Sequence, residues 1–376
     1  MTKPKKLIVD AHDLLVAKTG IRTYIFNIIT ALQSEQDPPL EVLVYPDPQQ
    51  LVQNNFFRKG GPIRSGAYHI YTLFWKHILV PYICFKQKAD ILLVPDYYAP
   101  IWKMPSVKKV VVFHDSLFWD RPEQYGRWWL RYFRWAILAG LRGQSVVVCV
   151  SKNTAKKVER VVGGRSTITS IYTPFIASEG HGHTASGTIS TVAGLPYCLH
   201  VGVFEKRKNL TTIVRAFRLL LQDPIYENYR LVLVGDRSTK SGLDDYEQVL
   251  KVIASERLED RVILPGHVSP GDLQLLYDRA KCLLFPSREE GFGLPIIEAF
   301  SHNLPVIVSQ TPALVEIGAE AVLVARTDDP KDWCTKMKRV LIDDGLKHEL
   351  VAMGTKRLQL FSPQTFRRSF NELLEA

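Results

Sequence analysis

Runs of consecutive apolar residues alternate along this chain with stretches in which apolar residues recur at helical spacing. In the first half, the apolar runs predict strands at 7–10, 41–45, 91–96, 110–115 and 145–151, and the helical spacing predicts helices at 21–33 and 124–143. Strands that are apolar at nearly every position are typical of a parallel sheet covered by helices on both faces. This half of the chain therefore predicts a doubly wound α/β domain.

The same alternation starts again after residues 173–192, which are rich in Gly, Ser, Thr and His and lack apolar periodicity. Strands are predicted at 197–204, 230–236, 261–266, 281–287, 305–309 and 321–325, and helices at 209–221, 242–257, 270–279 and 295–301. A chain of 376 residues is too long for one ordinary core. We therefore expect an N-terminal domain over 1–175, a linker over 176–192 and a C-terminal domain over 193–360. Because open parallel sheets bind ligands beyond the carboxyl ends of their strands, two such domains facing each other predict a cleft between those ends.

The cysteines and the apolar segments place the protein in a cellular class. Five cysteines are scattered along the chain without a Cys-x-x-Cys pair, which indicates reduced, mostly buried thiols in a cytoplasmic protein. The apolar part of the N-terminus is too short for a signal peptide. No stretch of 18 uncharged apolar residues occurs, so we expect no transmembrane helix.

The excess of positive charge lies entirely in the first half of the chain. Residues 1–185 hold 24 Lys and Arg against 13 Asp and Glu, a net charge of +11, which leaves −1 for the rest because the whole chain carries +10. A solvated surface is one interpretation of such an excess. Its one-sided distribution favours an anionic surface or an anionic partner for the N-terminal half.

The segment SREEGFGLPIIEAF, residues 287–300, places Glu290 and Glu298 on either side of a Gly-Phe-Gly turn. Pro295 suits the first turn of a helix. The two glycines let backbone N–H groups come close to a ligand at the helix N-terminus, where negative charge is favoured. A carboxylate beside an anion site repels phosphate, so both glutamates are better suited to accept hydrogen bonds from hydroxyl groups. Phosphate and polyol together predict a nucleotide sugar as the ligand.

The segment GVFEKRKNL, residues 202–210, follows a predicted strand and precedes a helix whose expected cap is Asn209. Arg207 offers a bidentate fork and Lys208 a point charge, a combination that suits a diphosphate. A solvated run of charges is the alternative interpretation. The position directly after a strand favours phosphate binding by these two cations.

Two weaker candidates lie in the first half. Gly20, in the loop before a helix, could bring its backbone N–H to a phosphate. His114 follows a strand and could bind a sugar hydroxyl or act as a base, although a lone histidine at a strand end is more often structural. The first strand is not followed by a Gly-x-Gly-x-x-Gly motif, which argues against a dinucleotide oxidoreductase. No Asp-x-Asp pair stands at a strand end, so the sequence offers no evident ligands for a diphosphate-bound metal.

Two stretches combine aromatic and basic residues, 68–88 and 126–142. In the second, three arginines recur at helical spacing among Trp128, Trp129 and Trp135. Such helices suit a membrane interface, where the rings lie at headgroup depth. The alternative is that the rings pack in the core while the arginines, Arg127, Arg131 and Arg134, are solvated.

With these motifs, the chain resembles the family-4 glycosyltransferases of the GT-B superfamily. The resemblance rests on TGIRTY, VFHDS, GVFEKRKNL, LVLVGD, RVILPGHVSPGDL, FPSREEGFGLPIIEAF and NLPVIVS in that order, and the pair Glu290 and Glu298 matches the family's E-x7-E motif. It implies an α/β GT-B fold with two Rossmann-like domains. The segment FSPQTFRRSF, 361–370, is similar to the family's terminal helix, so we expect 361–376 to cross back onto the N-terminal domain.

The resemblance also implies roles for single residues. It implies that Glu298 binds the ribose hydroxyls and Glu290 the hydroxyls of the transferred sugar, while Arg207 and Lys208 neutralise the diphosphate and make a metal unnecessary. His114 is expected near the reacting centre. The other expected donor contacts are Gly20, Val268, Gly291, Phe292, Gly293 and Leu294. One departure is the turn SHNLPV, where His302 and Asn303 replace the usual small residues.

The resemblance, together with these motifs, thus implies a retaining, metal-independent glycosyltransferase that needs no cofactor. It would move a hexose-type sugar from a nucleotide-diphosphate sugar to a glycan or lipid-linked acceptor of a cell-surface polysaccharide, with the N-terminal domain binding the acceptor and the C-terminal domain the donor. We expect it in the cytoplasm, at the inner face of the plasma membrane. Two alternatives remain: a GT-B sugar-nucleotide epimerase or phosphorylase, and a non-catalytic sugar-binding partner.

Overall fold

The structure is a computed structural model that describes residues 4–17, 20–34, 40–53, 62–177, 194–238 and 242–375. The chain divides into two compact units. The N-terminal unit comprises residues 1–176 and 360–376, and the C-terminal unit comprises residues 177–359. Most of the predicted linker, from residue 178 onward, lies outside the described residues.

The N-terminal unit is built on a parallel sheet of six strands in the order β2-β1-β3-β4-β5-β6. Its strands and helices are β1 (Lys5–Asp10), α1 (Gly20–Gln33), β2 (Leu40–Tyr45), α2 (Pro48–Gln53), α3 (Pro62–Phe74), α4 (Val80–Gln87), β3 (Ile91–Val94), β4 (Lys108–Phe113), α5 (Leu117–Asp120), α6 (Arg127–Gly140), β5 (Ser145–Cys149), α7 (Lys152–Val162) and β6 (Thr167–Ser170). Every position of β3 is buried, as its uninterrupted apolar run predicts.

Helices α3 and α4 are joined by a π-helical turn at Trp75–Leu79. Pro81 is the second residue after this turn and lies in the first turn of α4. A proline lacks the N–H and clashes with the preceding helical turn, and a wider turn upstream relieves both effects. The predicted helix at 68–88 is therefore present, but it begins earlier and has this irregularity in its middle.

The C-terminal unit has a second parallel sheet, in the order β12-β11-β10-β7-β8-β9. Its elements are β7 (Tyr197–Val201), α8 (Leu210–Leu220), β8 (Arg230–Val234), α9 (Tyr246–Ser255), β9 (Val262–Gly266), α10 (Pro270–Arg279), β10 (Cys282–Phe285), α11 (Leu294–Ser301), β11 (Val306–Ser309), α12 (Pro312–Gly318), β12 (Val322–Ala325), α13 (Pro330–Ile342) and α14 (Asp344–Leu358). Helices α8, α9 and α13 pack a continuous apolar core against one side of the sheet.

The last helix, α15 (Pro363–Glu375), belongs to the N-terminal unit, as the sequence predicted. Its buried side chains Phe366, Phe370 and Leu374 form one stripe, and the helix contacts α1. Two lysines fasten its end, because Lys108 Nζ donates to the Leu373 carbonyl at 2.9 Å and Lys5 Nζ to the Leu374 carbonyl at 3.3 Å. Cations at a helix C-terminus also stabilise its dipole.

The two parallel sheets with their flanking helices confirm the predicted α/β fold class. All five cysteines are buried and free, in agreement with the prediction of buried thiols. Several strands end earlier than predicted, since residues such as Asp96, His114 and Phe204 lie in the loops beyond them. In the part of the chain that the structure describes, no helix is long and apolar enough to cross a membrane.

Candidate functional site

The loop that follows β10 carries Glu290 and leads into α11. Gly293 is the N-cap of this helix and has a φ of +119°, a conformation that residues with a Cβ rarely adopt. A Cβ at this position would also lie 3.0 Å from Leu314 Cδ2. Phe292 is buried beside it. The predicted turn and helix start are therefore present, with Glu290 in the loop and Glu298 in the second turn of the helix.

The loop that follows β7 is fixed by a close approach of two backbones. A Cβ on Gly235, just after β8, would lie 2.0 Å from the Gly202 carbonyl oxygen. Gly202 N donates to the Val234 carbonyl at 2.9 Å, and Phe204 N donates to the Asp236 carbonyl at 2.9 Å. Only glycine allows this contact, which directs the loop toward the end of β10.

Arg207 and Lys208 meet Glu290 at this edge of the sheet. Lys208 Nζ lies 2.6 Å from Glu290 Oε1, and Arg207 Nη1 lies 3.0 Å from the same oxygen. Arg207 also donates through Nε to Glu205 Oε2 at 2.7 Å and through Nη1 to the Glu289 carbonyl at 3.2 Å. The structure thus brings together the cationic segment and the first glutamate of the motif. Lys208 and Glu290 are 82 residues apart in the sequence.

The ionisation of this cluster follows from its charges. Burial alone would raise the pKa of Glu290, but Arg207 and Lys208 lower it to about 2. Burial lowers the pKa of Lys208 below its ordinary value, although Glu290 opposes the effect. At neutral pH Glu290 is therefore a carboxylate that accepts hydrogen bonds and cannot serve as a general acid.

Glu298 has a different set of neighbours. Tyr277 on α10 donates its hydroxyl to Glu298 Oε2 at 2.7 Å. The Tyr277 ring stacks on His302 with centroids 5.4 Å apart, and His302 Nδ1 lies 2.6 Å from Asp278 Oδ1. Burial raises the pKa of Glu298, while the Tyr277 hydrogen bond and His302 act in the opposite direction. The pKa values of the two glutamates are thus shifted in opposite directions: the two cations lower that of Glu290, and burial raises that of Glu298.

The sequence did not reveal Tyr277 as a neighbour of Glu298, or the pairing of Glu205 with Arg207. Glu205 stands inside the segment 202–210 and could have been recognised as the partner of Arg207. Tyr277 gave no local signal, because its apolar neighbours make it look like an ordinary core residue of α10. Val268 is half-buried in the loop between β9 and α10.

Asn209 occupies the predicted N-cap position of α8, but its side chain does not cap the helix in the expected way. Its φ is +56°, and its side chain makes no cap bond to a backbone N–H. Instead, Asn209 Oδ1 accepts from the Thr212 hydroxyl at 2.8 Å, and Nδ2 donates to the Thr327 carbonyl at 2.8 Å. Asparagine suits this position because it tolerates left-handed backbone geometry.

The two remaining candidates lie in the N-terminal unit. His114 directly follows β4; its Nε2 donates to the Pro95 carbonyl at 2.7 Å, and its ring makes an edge contact with Tyr24. Burial lowers the pKa of His114, so the ring is neutral with Nδ1 as the acceptor nitrogen. Gly20 is the exposed first residue of α1.

Within the described ranges of the chain, no cluster of three or more His, Cys, Asp or Glu side chains could hold a metal ion.

Two family models match consecutive parts of the chain. The model described as Glycosyltransferase Family 4 matches residues 18–176, and the model described as Glycosyl transferases group 1 matches residues 190–357. The two matches correspond to the two structural units, except that residues 1–17 with β1 and the last helix lie outside them.

Relatives of known name agree with these models. O-antigen chain mannosyltransferase B of Escherichia coli is 27% identical over 276 residues, which cover 71% of this chain and 70% of that protein. The serotype-specific mannosyltransferase WbdA of Escherichia coli is 27% identical over 362 residues, covering 87% of this chain but 42% of that protein. The chain thus spans less than half of this larger relative.

A solved structure shares the whole fold. The crystal structure of Anabaena HepE in complex with UDP and glucose superposes with a TM-score of 0.68 at 17% identity, and each chain covers 100% of the other. The two parallel sheets, the matched models and the E-x7-E segment agree: this chain belongs to the family-4 glycosyltransferases and has the GT-B fold.

Proposed function

We propose that this protein is a retaining mannosyltransferase that moves mannose from a nucleotide-diphosphate sugar to a glycan or lipid-linked acceptor of a cell-surface polysaccharide. The observation that carries the proposal is the cluster of Arg207, Lys208 and Glu290 at the carboxyl ends of β7 and β10. Open parallel sheets bind their ligands at these ends. In this proposal the C-terminal unit binds the donor and the N-terminal unit the acceptor.

The two cations suit a leaving diphosphate. Charge builds up on the leaving group as the bond to the sugar breaks, and donors held in place beforehand stabilise that charge most effectively. Arg207 is held by Glu205 and by the Glu289 carbonyl, so its guanidinium is positioned before the donor arrives. With two cations in this role, the reaction needs no metal, and we expect it to continue in the presence of EDTA.

The two glutamates suit hydroxyl groups. Glu290, with its low pKa, remains a carboxylate beside the phosphates and accepts hydrogen bonds from the sugar hydroxyls. Glu298 lies in the second turn of α11 and would accept from the ribose hydroxyls. The remaining donor contacts that we propose are backbone contacts at Gly291, Phe292, Gly293 and Leu294, with Val268 flanking the base and Gly20 facing the diphosphate.

The sugar and the acceptor are proposed from the relatives. Both Escherichia coli relatives described above are named as mannosyltransferases, and one is named for the O-antigen chain. Neutral His114 would accept a hydrogen bond from an acceptor or sugar hydroxyl near the reacting centre. We place the protein in the cytoplasm, where nucleotide sugars and the inner membrane surface are both accessible.

A thermal-shift panel of nucleotide sugars tests the proposal. A ligand that binds only the native state stabilises it by about 2.7 kcal/mol at a concentration of 100 times its Kd. We expect a nucleotide-diphosphate mannose to raise the melting temperature of the wild type and to have little effect on Glu298→Gln. Stabilisation by a nucleotide-diphosphate glucose but not by its mannose counterpart would contradict the choice of sugar, and no stabilisation by any donor would contradict the function.

A further inference from the structure

Helix α6 turns a stripe of large aromatic side chains away from the protein. Trp128, Tyr132 and Trp135 are spaced by four and three residues and therefore lie on one side of the helix. Trp128 is 77% exposed, and the other two are also exposed. The opposite side of α6 supplies the core with Leu130, Ala136 and Ile137. The aromatic residues of this stripe thus do not serve the core.

A second apolar stripe runs along α3 and α4. Ile70, Phe74, Ile78, Tyr82 and Phe85 recur every three or four residues and are all exposed, with Phe85 at 83%. In the same helical stretch Trp75, Val80 and Cys84 are buried. The helices therefore have a core side and an apolar outer side.

The two stripes are neighbours. His77 Nε2 lies 2.8 Å from the Tyr98 hydroxyl, which lies 3.1 Å from the Tyr132 hydroxyl on α6. Trp102, itself exposed, donates through Nε1 to the His77 carbonyl at 2.7 Å. This chain of hydrogen bonds links the π-helical turn to α6. We call the surface formed by Ile78, Tyr82, Phe85, Trp128, Tyr132 and Trp135 the aromatic face.

The charged side chains within the two helical stretches that form the aromatic face all have one sign. The stretches 68–88 and 126–142 contain no Asp or Glu. Lys86, Lys88, Arg127 and Arg131 are exposed there, and Arg131 also lies over the Trp128 ring at 5.7 Å. Two other cations are used internally, since Lys76 is buried in ion pairs and Arg134 donates to the Phe118 carbonyl. The exposed cations suit an anionic partner.

The composition favours a lipid surface over a second copy of the chain. Two aromatic faces placed against each other would bring the exposed cations of these stretches close to one another, which is unfavourable. Exposed Trp and Tyr rings combined with Lys and Arg are what a membrane interface accommodates. We propose that the aromatic face docks onto an anionic lipid bilayer, with its rings at headgroup depth and its cations on lipid phosphates. The purpose, access to a lipid-linked acceptor, rests on the proposed function; the binding itself does not.

Vesicle flotation without donor or acceptor tests the proposal independently of catalysis. We expect the wild type to float with phosphatidylcholine vesicles that contain phosphatidylglycerol, and much less with phosphatidylcholine alone. Phe85→Ser should weaken binding by about ten-fold, because one large apolar side chain is no longer buried in lipid. Lys86→Gln and Arg131→Gln should each weaken it by about five-fold at low salt.

Controls keep the result interpretable. Ile225→Ser removes an exposed apolar side chain of the C-terminal unit and should leave flotation unchanged. Each variant should keep the melting temperature of the wild type, because the altered side chains are exposed. Failure of the wild type to float, or equal flotation of Phe85→Ser and wild type, would overturn the proposal. A dimer in solution that Trp128→Ser dissociates would assign the face to self-association instead.

Discussion

The hydroxyl of Tyr277 is one of the groups that determine the pKa of Glu298, which burial raises. It donates to Glu298 Oε2 at 2.7 Å and so opposes the rise in pKa that burial causes. In the proposed function Glu298 accepts from the ribose, and a protonated carboxyl is a poorer acceptor. The KM for the donor should therefore rise as the pH falls through the pKa of Glu298.

Tyr277→Phe removes this hydrogen bond. At neutral pH we expect the donor KM to rise by about three- to ten-fold, the effect of one hydrogen bond, with kcat nearly unchanged. Because the pKa of Glu298 would rise further, the increase in KM should begin at a higher pH than in the wild type. Steady-state kinetics over a pH series measures both effects.

Tyr226→Phe is the matched control for this change. Tyr226 is also buried in the C-terminal unit, and within the described ranges its hydroxyl has no hydrogen-bond partner. Its removal should change neither the donor KM nor its pH dependence. Identical profiles for Tyr277→Phe and the wild type would show that Tyr277 does not position Glu298.

At the scale of residues, the sequence predicted side chains that follow strands better than side chains inside helices. Arg207, Lys208 and Glu290 were identified because polar residues after apolar runs are conspicuous. Lys76 was not identified. It is fully buried, with its Nζ 2.8 Å from Asp10 and 2.9 Å from Asp96. An isolated lysine in an apolar helix gives no indication of partners in other elements. Tyr277 was also missed, because its neighbours in the sequence do not indicate its hydrogen bond to Glu298 on another helix.

At the scale of elements, α15 stabilises a unit from which it is distant in sequence. Phe370 is 1% exposed, and α15 packs on α1. Phe370→Ala should lower the free energy of unfolding by about 3–5 kcal/mol, since it removes a buried aromatic ring and leaves a cavity. Urea unfolding followed by circular dichroism should show an earlier transition.

Phe85→Ala provides the comparison for that experiment. The Phe85 ring is mostly solvent-exposed, so its truncation should change the unfolding free energy by less than about 0.5 kcal/mol. If the two variants unfold at the same urea concentration, α15 does not contribute to the core of the N-terminal unit.

The apolar pattern gave the type of the elements that it predicted but not their ends, and it missed the long helices α7, α13 and α14. The predicted strands extended past the observed ends. Phe204, for example, is apolar and buried but lies beyond the end of β7, where its backbone N–H donates to the Asp236 carbonyl. An apolar pattern reports burial and cannot distinguish the last strand residue from a buried loop residue. The π-helical turn before Pro81 was likewise not predicted, although the proline that accounts for it stands in the local sequence.

At the scale of the whole molecule, the two units differ in charge and in the chemistry they carry. The positive excess lies in residues 1–185, and so does the aromatic face, whereas the cluster of Arg207, Lys208 and Glu290 belongs to the C-terminal unit. The apolar runs predicted all six strands of the C-terminal sheet and five of the six in the N-terminal sheet, where β6 was missed. They could not show that Glu290 is bound by both cations, because that contact depends on how the loops after β7 and β10 meet.

Turnover of a nucleotide-diphosphate mannose by Arg207→Ala tests sugar transfer most directly. Release of nucleoside diphosphate in the presence of a lipid-linked glycan acceptor should fall by about 10²–10³-fold in kcat, the effect of losing one preorganised donor to the leaving group. The kcat of Arg207→Lys should lie between those of Arg207→Ala and the wild type, because lysine keeps the positive charge but lacks the bidentate guanidinium. Arg326→Ala, which removes an exposed arginine paired with Asp329, should match the wild type. A folded Arg207→Ala variant with the turnover of the wild type would contradict the proposed role of this site in sugar transfer.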